Sequence, residues 1–156
     1  MRLHLVRHGD ARDHADDEKR ELSRAGFEQA RAMGRFLRAA GVQFEAAYTS
    51  PLIRARQTSG VLLAELNMPY PPPQFTGALL NSTGLEDFHH WLGQLTGKDI
   101  LLVGHEPTLS ERVRSLLTMS APGAFSMAKG ACVGIRTTDG RHGRLLYHVT
   151  PQQLGI

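Results

Sequence analysis

Residues 99–107 read DILLVGHEP and contain the densest apolar run of the chain. Four consecutive aliphatic side chains without alternation are typical of a strand buried on both faces, which is the central position of a parallel sheet. Gly104 ends this strand, and a helix is expected soon after Pro107. The stretch therefore predicts an α/β protein with a mostly parallel sheet.

Shorter elements surround this strand and alternate in type along the chain. Ser23 and Ser50 are good N-cap residues for the first two helices, and the proline-rich residues 67–77 form a connection that cannot be helical. Strands are predicted at residues 4–6, 44–49, 99–103, 132–137 and 144–149, and helices at residues 23–41, 51–66, 85–95 and 108–118. This order predicts a three-layer α-β-α sandwich around a mostly parallel mixed sheet, with an antiparallel hairpin at its end.

The chain has 156 residues, of which 41% are hydrophobic and 21% charged. These values are typical of globular proteins, and the length predicts one domain over residues 1–156. No apolar run approaches the roughly 20 residues of a membrane span. Charged residues near the N-terminus disfavour an export signal, and a single cysteine, Cys132, excludes an internal disulfide. We therefore expect a cytoplasmic protein.

The formal net charge is +3, from 18 basic and 15 acidic residues, and 15 of the basic residues are arginine. They are spread along the chain between acidic residues, and aromatic residues make up only 6%, so no nucleic-acid partner is expected. Most of these arginines are expected on the solvated surface. An arginine beside a binding site can nevertheless hold a phosphate through two parallel N–H bonds.

Polar residues follow three of the predicted strands. Arg-His-Gly at residues 7–9 follows the first strand, Thr-Ser at 49–50 follows the second with Arg54 one turn later, and Gly-His at 104–105 follows the central strand. Ligands of open α/β sheets bind beyond the carboxyl ends of the strands, so two histidines and two arginines are expected to converge. Two of these segments also lead into helix N-termini, which favour anions. The combination indicates a phosphate site.

Four stretches resemble, in order, the motifs of the histidine phosphatase superfamily, also called phosphoglycerate mutase-like. They are LVRHGD at residues 5–10, RELSRAG at 20–26, TSPLIRARQT at 49–58 and LLVGHEP at 101–107. The resemblance covers most of the chain up to about residue 118. The short chain, without the large insertions of the mutases, is most similar to the SixA-type phosphohistidine phosphatases of this superfamily.

The resemblance implies a phosphatase that forms a transient phosphohistidine at His8. It also implies that Arg7 and Arg54 hold the phosphoryl oxygens and that His105 is a further catalytic residue. His105 is expected to be protonated while phosphate is bound, because the anion raises its affinity for a proton. No metal and no other cofactor is expected. The implied substrate-binding residues are Arg7, Arg54, His105, Arg20 and Gly9.

One departure from the superfamily pattern concerns the leaving group. Mutase-type members carry a glutamate between the second helix and the second histidine motif, and it protonates the leaving oxygen. Residues 77–84 read GALLNSTG here and contain no acid. An alkoxide leaving group depends on a general acid, whereas the imidazole of phosphohistidine leaves as a neutral ring once its far nitrogen is protonated. This favours a phosphohistidine substrate, with Asp10 and Glu106 as candidate acids or as caps of local backbone.

Two other functions stay open on the sequence alone. One is a small-molecule phosphomonoesterase of the same superfamily, acting on a sugar phosphate or nucleotide, and the other is a phosphate-binding module without turnover. The expected partner is a phosphorylated protein, such as a histidine-containing phosphotransfer domain, or a small phosphorylated molecule, with no membrane partner. A metal site at His89 and His90 is disfavoured, because neighbouring residues of a helix face different directions.

Overall fold

Six strands form one mixed sheet in a computed structural model that describes residues 1–156. They are β1 (Arg2–Arg7), β2 (Ala46–Thr49), β3 (Gln74–Phe75), β4 (Asp99–Gly104), β5 (Cys132–Thr137) and β6 (Gly143–Val149). The order across the sheet is β3-β2-β4-β1-β5-β6. The first four strands in that order are parallel to one another. Strand β5 runs antiparallel to both of its neighbours, β1 and β6. The predicted mostly parallel sheet and its terminal hairpin are confirmed.

Four α-helices cover the two faces of this sheet. They are α1 (Arg24–Ala39), α2 (Ile53–Ala64), α3 (Leu85–Leu92) and α4 (Thr108–Leu116), and short 3₁₀ turns lie at Asp17–Lys19, Gly77–Leu79 and Pro151–Leu154. None of the helices has the length and apolar character of a membrane-spanning segment. The predicted helices are all present, with ends that differ by a few residues.

The core lies in two layers, one on each side of β4. Leu101 and Val103 pack with buried residues of α1 and α2, whereas Ile100 and Leu102 pack with buried residues of α3 and α4. Successive side chains of a strand point to opposite faces, so the two helix pairs lie on opposite sides of the sheet. Every residue of β4 is buried. The predicted central strand and the three-layer sandwich are therefore confirmed.

The second helix begins later than the sequence predicts. Ser50 is expected to cap a helix that starts at Pro51, but α2 begins at Ile53, and its N-cap Leu52 makes no side-chain capping bond. The Ser50 hydroxyl oxygen accepts the Leu52 N–H at 3.3 Å and also lies 2.7 Å from Nε2 of His105. The predicted start at Pro51 was therefore wrong by two residues, and the Ser50 hydroxyl serves both a local N–H and His105.

The proline-rich segment contains an edge strand that the sequence does not predict. Gln74 and Phe75 pair in parallel with Tyr48 and Thr49 of β2. Three prolines at residues 71–73 come directly before it. Proline cannot donate to a strand ladder, so pairing here is confined to the sheet edge and to two residues. The expectation that this segment contains no helix is confirmed.

Two helix-interior glycines test how closely α1 and α2 pack. A Cβ atom at Gly34 of α1 would lie 2.5 Å from the carbonyl oxygen of Leu62, whereas one at Gly60 of α2 would meet nothing within 4 Å. We expect Gly34→Ala to lower the free energy of unfolding by about 1–3 kcal/mol through overpacking. Gly60→Ala is expected to raise it by about 0.5–1 kcal/mol through helix propensity. Urea unfolding measures both, and stabilisation by both variants would contradict the close contact.

Candidate active site

Neighbouring strands bring the predicted site residues to one edge of the sheet. The register pairs Arg7 of β1 with Gly104 of β4, so the residues that follow them, His8 and His105, lie side by side. Their ring centroids are 5.0 Å apart. The first turn of α2, which follows β2, places Nε of Arg54 3.3 Å from Nε2 of His8. The two imidazoles and two arginines that were predicted to converge lie at the edge of the sheet formed by the carboxyl ends of its parallel strands.

The hydrogen bonds of His8 define its tautomer. Nδ1 lies 2.7 Å from the Gly9 carbonyl oxygen, which can only accept, so Nδ1 carries the proton. Nε2 faces the Nε–H of Arg54, which can only donate, so Nε2 carries a lone pair. The backbone N–H of His8 donates to the Gly104 carbonyl at 3.1 Å and holds the residue against β4. His8 therefore presents an unprotonated Nε2.

Burial, which has the largest effect, and the positive charges of Arg54, Arg7 and Arg20 together lower the pKa of His8 to about 4, against the opposing hydrogen bond to Gly9. The usual value for histidine is near 6.5. The ring is consequently neutral at pH 7. A neutral imidazole is the form that can act as a nucleophile.

His105 is also neutral in the free protein. Burial, which has the largest effect, and the neighbouring His8 and Arg54 together lower its pKa to about 3. Nε2 lies 2.7 Å from the Ser50 hydroxyl oxygen, and Nδ1 is buried without a hydrogen-bond partner. The expectation that His105 is protonated concerns the phosphate-bound state and stays a prediction. In the free site, burial and nearby positive charge keep the His105 ring unprotonated.

Arg54 lies almost completely buried between His8 and a loop. Its two terminal nitrogens donate to Asp17, one to the backbone carbonyl oxygen at 2.7 Å and one to Oδ2 at 3.0 Å. The Thr58 hydroxyl donates to the Arg54 carbonyl at 2.7 Å and accepts the Gly9 N–H at 3.1 Å. Thr58 thus ties the first turns of α2 to the backbone next to His8, which fixes the position of the guanidinium relative to the imidazole.

Arg7 adds a second positive charge with few partners. One terminal nitrogen donates to the Met127 carbonyl at 2.7 Å, and the buried Nε–H has no partner. Burial lowers the pKa of Arg7, and the negative charge of Glu106 opposes that shift. No carboxylate is hydrogen-bonded to this guanidinium. Arg7 therefore has free donors and a positive charge without a hydrogen-bonded carboxylate, as an anion requires.

Arg20 and Gly9 lie at the margin of this group. The Arg20 guanidinium donates to the Arg12 carbonyl at 3.0 Å and the Ala11 carbonyl at 3.3 Å, so it stabilises the charged loop. It acts on His8 through its charge. The N–H of Gly9 is taken by Thr58, and a Cβ atom there would lie 2.7 Å from the Gly26 carbonyl oxygen. Glycine at this position allows the loop to pack against α1.

The two candidate general acids are both engaged in local hydrogen bonds. Asp10 accepts from Lys129 Nζ and from the Ser23 hydroxyl, each at 2.6 Å, and these bonds hold its pKa below the usual range. Glu106 accepts from the Ser110 hydroxyl at 2.6 Å. These contacts favour the interpretation that both carboxylates stabilise the loops that follow β1 and β4.

His89 and His90, the histidine pair of α3, have hydrogen-bond partners within the fold. His89 lies 2.9 Å from the Gly140 carbonyl oxygen through Nδ1 and 2.9 Å from the Ser115 hydroxyl through Nε2, so both ring nitrogens link elements of the fold. His90 is exposed and contacts Gln94 of the same segment. The structure groups no three His, Cys, Asp or Glu side chains in a way that could hold a metal ion.

Asp17 is a site residue that sequence reasoning missed. It lines a cleft of about 270 Å³ together with Arg54 and His105. The rest of the lining comes from Glu18, Leu52, Leu80, Asn81 and Ser82. In the sequence Asp17 is one acid among several in a charged loop, and no local pattern distinguishes it. Only the folding of that loop against α2 places it over Arg54.

Arg112 of α4 is a second missed residue. It is 1% exposed, donates to the carbonyl oxygens of Leu80 at 3.0 Å and Thr83 at 3.3 Å, and lies over the Phe88 ring at 4.6 Å. Burial lowers its pKa to about 10. These bonds hold the loop that forms one wall of the cleft. An arginine at helical spacing among apolar residues is the sequence signal that could have found it.

Acid titration provides a test of the two buried imidazoles. Between about pH 4 and 6.5 the unfolded chain protonates histidines that stay neutral in the native state, so native stability falls as the pH falls through this window. Each such histidine contributes up to about 1.4 kcal/mol per pH unit. We expect His8→Gln to reduce the pH slope of the free energy of unfolding by one proton. An unchanged slope would contradict the neutral buried state.

Comparison with known proteins agrees with this geometry. The family model of the histidine phosphatase superfamily (branch 1) matches residues 3–75, which include Arg7, His8 and Arg54. An uncharacterized protein of Picosynechococcus sp. is 32% identical over 148 residues, covering 90% of this chain and 88% of that relative. Phosphohistidine phosphatase SixA of Escherichia coli is 27% identical over 161 residues, covering 99% of this chain and 96% of SixA.

Solved structures show the same likeness in three dimensions. The structure of the protein histidine phosphatase SixA complexed with tungstate superimposes with a TM-score of 0.88 at 26% identity, over 99% of both chains. A putative α-ribazole-5′-P phosphatase of Escherichia coli shares the fold, with a TM-score of 0.77 at 22% identity over 100% of both chains. The motifs, the two histidines that follow β1 and β4, and these full-length similarities show the family. The chain belongs to the histidine phosphatase superfamily and is a hydrolase of that family.

Proposed function

We propose that this protein is a metal-independent phosphatase that removes phosphate from phosphohistidine in a protein, through a phosphohistidine intermediate on His8. The tautomer of His8 carries the proposal. Its Nδ1–H is held by the Gly9 carbonyl, which leaves the Nε2 lone pair beside a guanidinium donor of Arg54. A nucleophilic imidazole needs that lone pair, and the arriving phosphoryl group needs the adjacent positive charge.

In the first step, the Nε2 lone pair of His8 forms a bond to phosphorus while the phosphorus–nitrogen bond of the substrate breaks. The electron pair of the broken bond stays with the departing imidazole. That ring leaves neutral, because its far nitrogen already carries a proton. The phosphorylated ring of His8 becomes cationic with its proton on Nδ1, and the Gly9 carbonyl stabilises that proton.

In the second step, water attacks phosphorus, and the electron pair of the bond to His8 returns to Nε2. Phosphate leaves, and the excess proton of the water passes to phosphate or solvent. Arg7 and Arg54 hold the phosphoryl oxygens in both transition states, which supplies the charge stabilisation without a metal. His105 acts as a third donor once the bound phosphate raises its affinity for a proton. Arg20 contributes its charge to the site.

The leaving group supports phosphohistidine as the substrate. Residues 77–84 carry no acid, and Asp10 and Glu106 are occupied by local partners. An ester would therefore lack a carboxylic acid to protonate its leaving oxygen. The full-length likeness to SixA, which is named a phosphohistidine phosphatase, points the same way. We propose a phosphorylated protein partner, such as a histidine-containing phosphotransfer domain, in the cytoplasm.

A phosphoenzyme test addresses the chemistry directly. Brief exposure to a phosphohistidine-containing peptide should leave an acid-labile, base-stable phosphoryl group on the wild-type protein. His8→Ala removes the attacking lone pair, so we expect turnover to fall on the order of 10⁴-fold or more, while phosphate still binds in calorimetry through the two arginines. The exposed His90→Ala is the matched control and should retain wild-type turnover. Phosphate binding without any phosphoenzyme would favour the alternative of a binding module.

A substrate panel distinguishes the proposal from the small-molecule phosphomonoesterase. We expect kcat/KM for a phosphohistidine peptide to exceed that for sugar phosphates and nucleotides by at least about 100-fold, because the esters lack the general acid. Initial rates of phosphate release measure this ratio. A preference for one of the small esters by a comparable factor would refute the phosphohistidine assignment and support the alternative.

A further inference from the structure

The cleft has one buried arginine beside a neutral histidine in its interior, and an acidic rim. Arg54 and His105 line it from within and are 6% and 3% exposed. Asp17 and Glu18 line its outer part, and both are exposed. The Asp17 side chain is 65% exposed. Further cations at the mouth would raise the affinity of the site for phosphate, whereas two carboxylates there would lower it. The carboxylates are therefore expected to interact with the part of the substrate that carries the phosphoryl group.

Asp17 is held in place by the same arginines that form the site. Its Oδ2 accepts from Arg54 at 3.0 Å, its Oδ1 accepts from Arg20 at 3.3 Å, and its backbone carbonyl accepts from Arg54 at 2.7 Å. Asp16 accepts the Glu18 N–H at 3.1 Å and closes the turn beneath it. A carboxylate has about four lone-pair sites. These bonds use two of them, which leaves acceptor capacity on the exposed side.

Asp17 is ionised at neutral pH. Burial raises the pKa of its carboxyl, but the hydrogen bonds and charges of Arg54 and Arg20 outweigh this effect and hold the pKa below its usual range. An ionised carboxylate accepts hydrogen bonds and cannot supply a proton. Asp17 is therefore unsuited to protonate an ester oxygen in the free protein and well suited to accept from a cationic group.

The geometry of phosphoryl transfer places the leaving group near this rim. The attacking Nε2 belongs to His8, which is 7% exposed, and it lies 3.3 Å from Nε of Arg54. In an in-line displacement the leaving group departs on the side of phosphorus opposite the nucleophile. Because His8 is buried, we expect that side to be the exposed part of the cleft, where Asp17 is bonded to the Arg54 guanidinium.

We propose that Asp17 is a specificity-determining residue that selects substrates with a protonated nitrogen leaving group, by accepting the N–H of the phosphoimidazolium ring. This inference rests on the proposed function and names the substrate class of that site. The carboxylate favours the ring form in which the far nitrogen keeps its proton. That form is the one that leaves as neutral imidazole when the phosphorus–nitrogen bond breaks and His8 Nε2 takes the phosphoryl group.

The same carboxylate acts against phosphate esters. The electron pair of a breaking phosphorus–oxygen bond stays on oxygen, and negative charge develops there. Asp17 repels that charge and has no proton to give. One side chain thus shifts the two substrate classes in opposite directions, which a residue that only holds Arg54 in place would not do.

The variant Asp17→Asn tests this inference. Asparagine keeps the shape and an oxygen acceptor for Arg54, but it removes the negative charge. We expect kcat/KM for a phosphohistidine peptide to fall by about 10- to 100-fold, the usual size of a charge-assisted hydrogen bond. The rate with p-nitrophenyl phosphate should rise, since repulsion is lost. The readout is the ratio of the two kcat/KM values, which does not depend on the fraction of protein that is folded.

Asp13→Asn is the matched control. Asp13 lies in the same loop, is fully exposed, and reaches Arg20 only at 4.0 Å. The Asp13→Asn variant removes one negative charge that lies outside the cleft, so the ratio of the two kcat/KM values should stay at the wild-type value. An Asp17→Asn ratio equal to that of wild type would overturn the inference, whether both rates fall, rise or stay constant. A wild-type protein that does not hydrolyse the phosphohistidine peptide would instead refute the proposed function, before any variant is compared.

Discussion

The hydrogen bond between His8 Nδ1 and the Gly9 carbonyl, 2.7 Å long, is the contact on which the site depends. It fixes the proton on one ring nitrogen and leaves the other as a lone pair. Gly9 is itself held by Thr58 and by close packing on Gly26, so the acceptor is rigid. With the proton on Nε2 instead, the same four side chains would bind phosphate but could not attack it.

Burial gives this site its electrostatic character. The imidazoles of His8 and His105 are neutral because desolvation and nearby guanidiniums disfavour a further positive charge. The guanidiniums of Arg7 and Arg112 donate hydrogen bonds to backbone carbonyl oxygens and to no carboxylate, so their positive charges are unpaired. An unpaired buried cation is costly, and a bound anion relieves that cost. The same arrangement therefore opposes folding at low pH and favours phosphate binding.

Most of the architecture could be predicted because it depends on local patterns. The apolar run of β4 and the alternation of the terminal hairpin are signals within a few residues. The start of α2, two residues later than predicted, could not be derived from the sequence, which does not show that the Ser50 hydroxyl also contacts the distant His105. Strand β3 was missed for a similar reason, since its pairing depends on β2 rather than on its own prolines.

The sequence alone was sufficient to predict that these histidines and arginines lie together, because each follows the end of a predicted strand and parallel strands end at one sheet edge. It could not assign the tautomer of His8, the position of Asp17 over Arg54, or the support of the cleft wall by Arg112. These features are contacts between segments distant along the chain. They arise only when burial and hydrogen bonding choose one partner among many chemically equivalent groups.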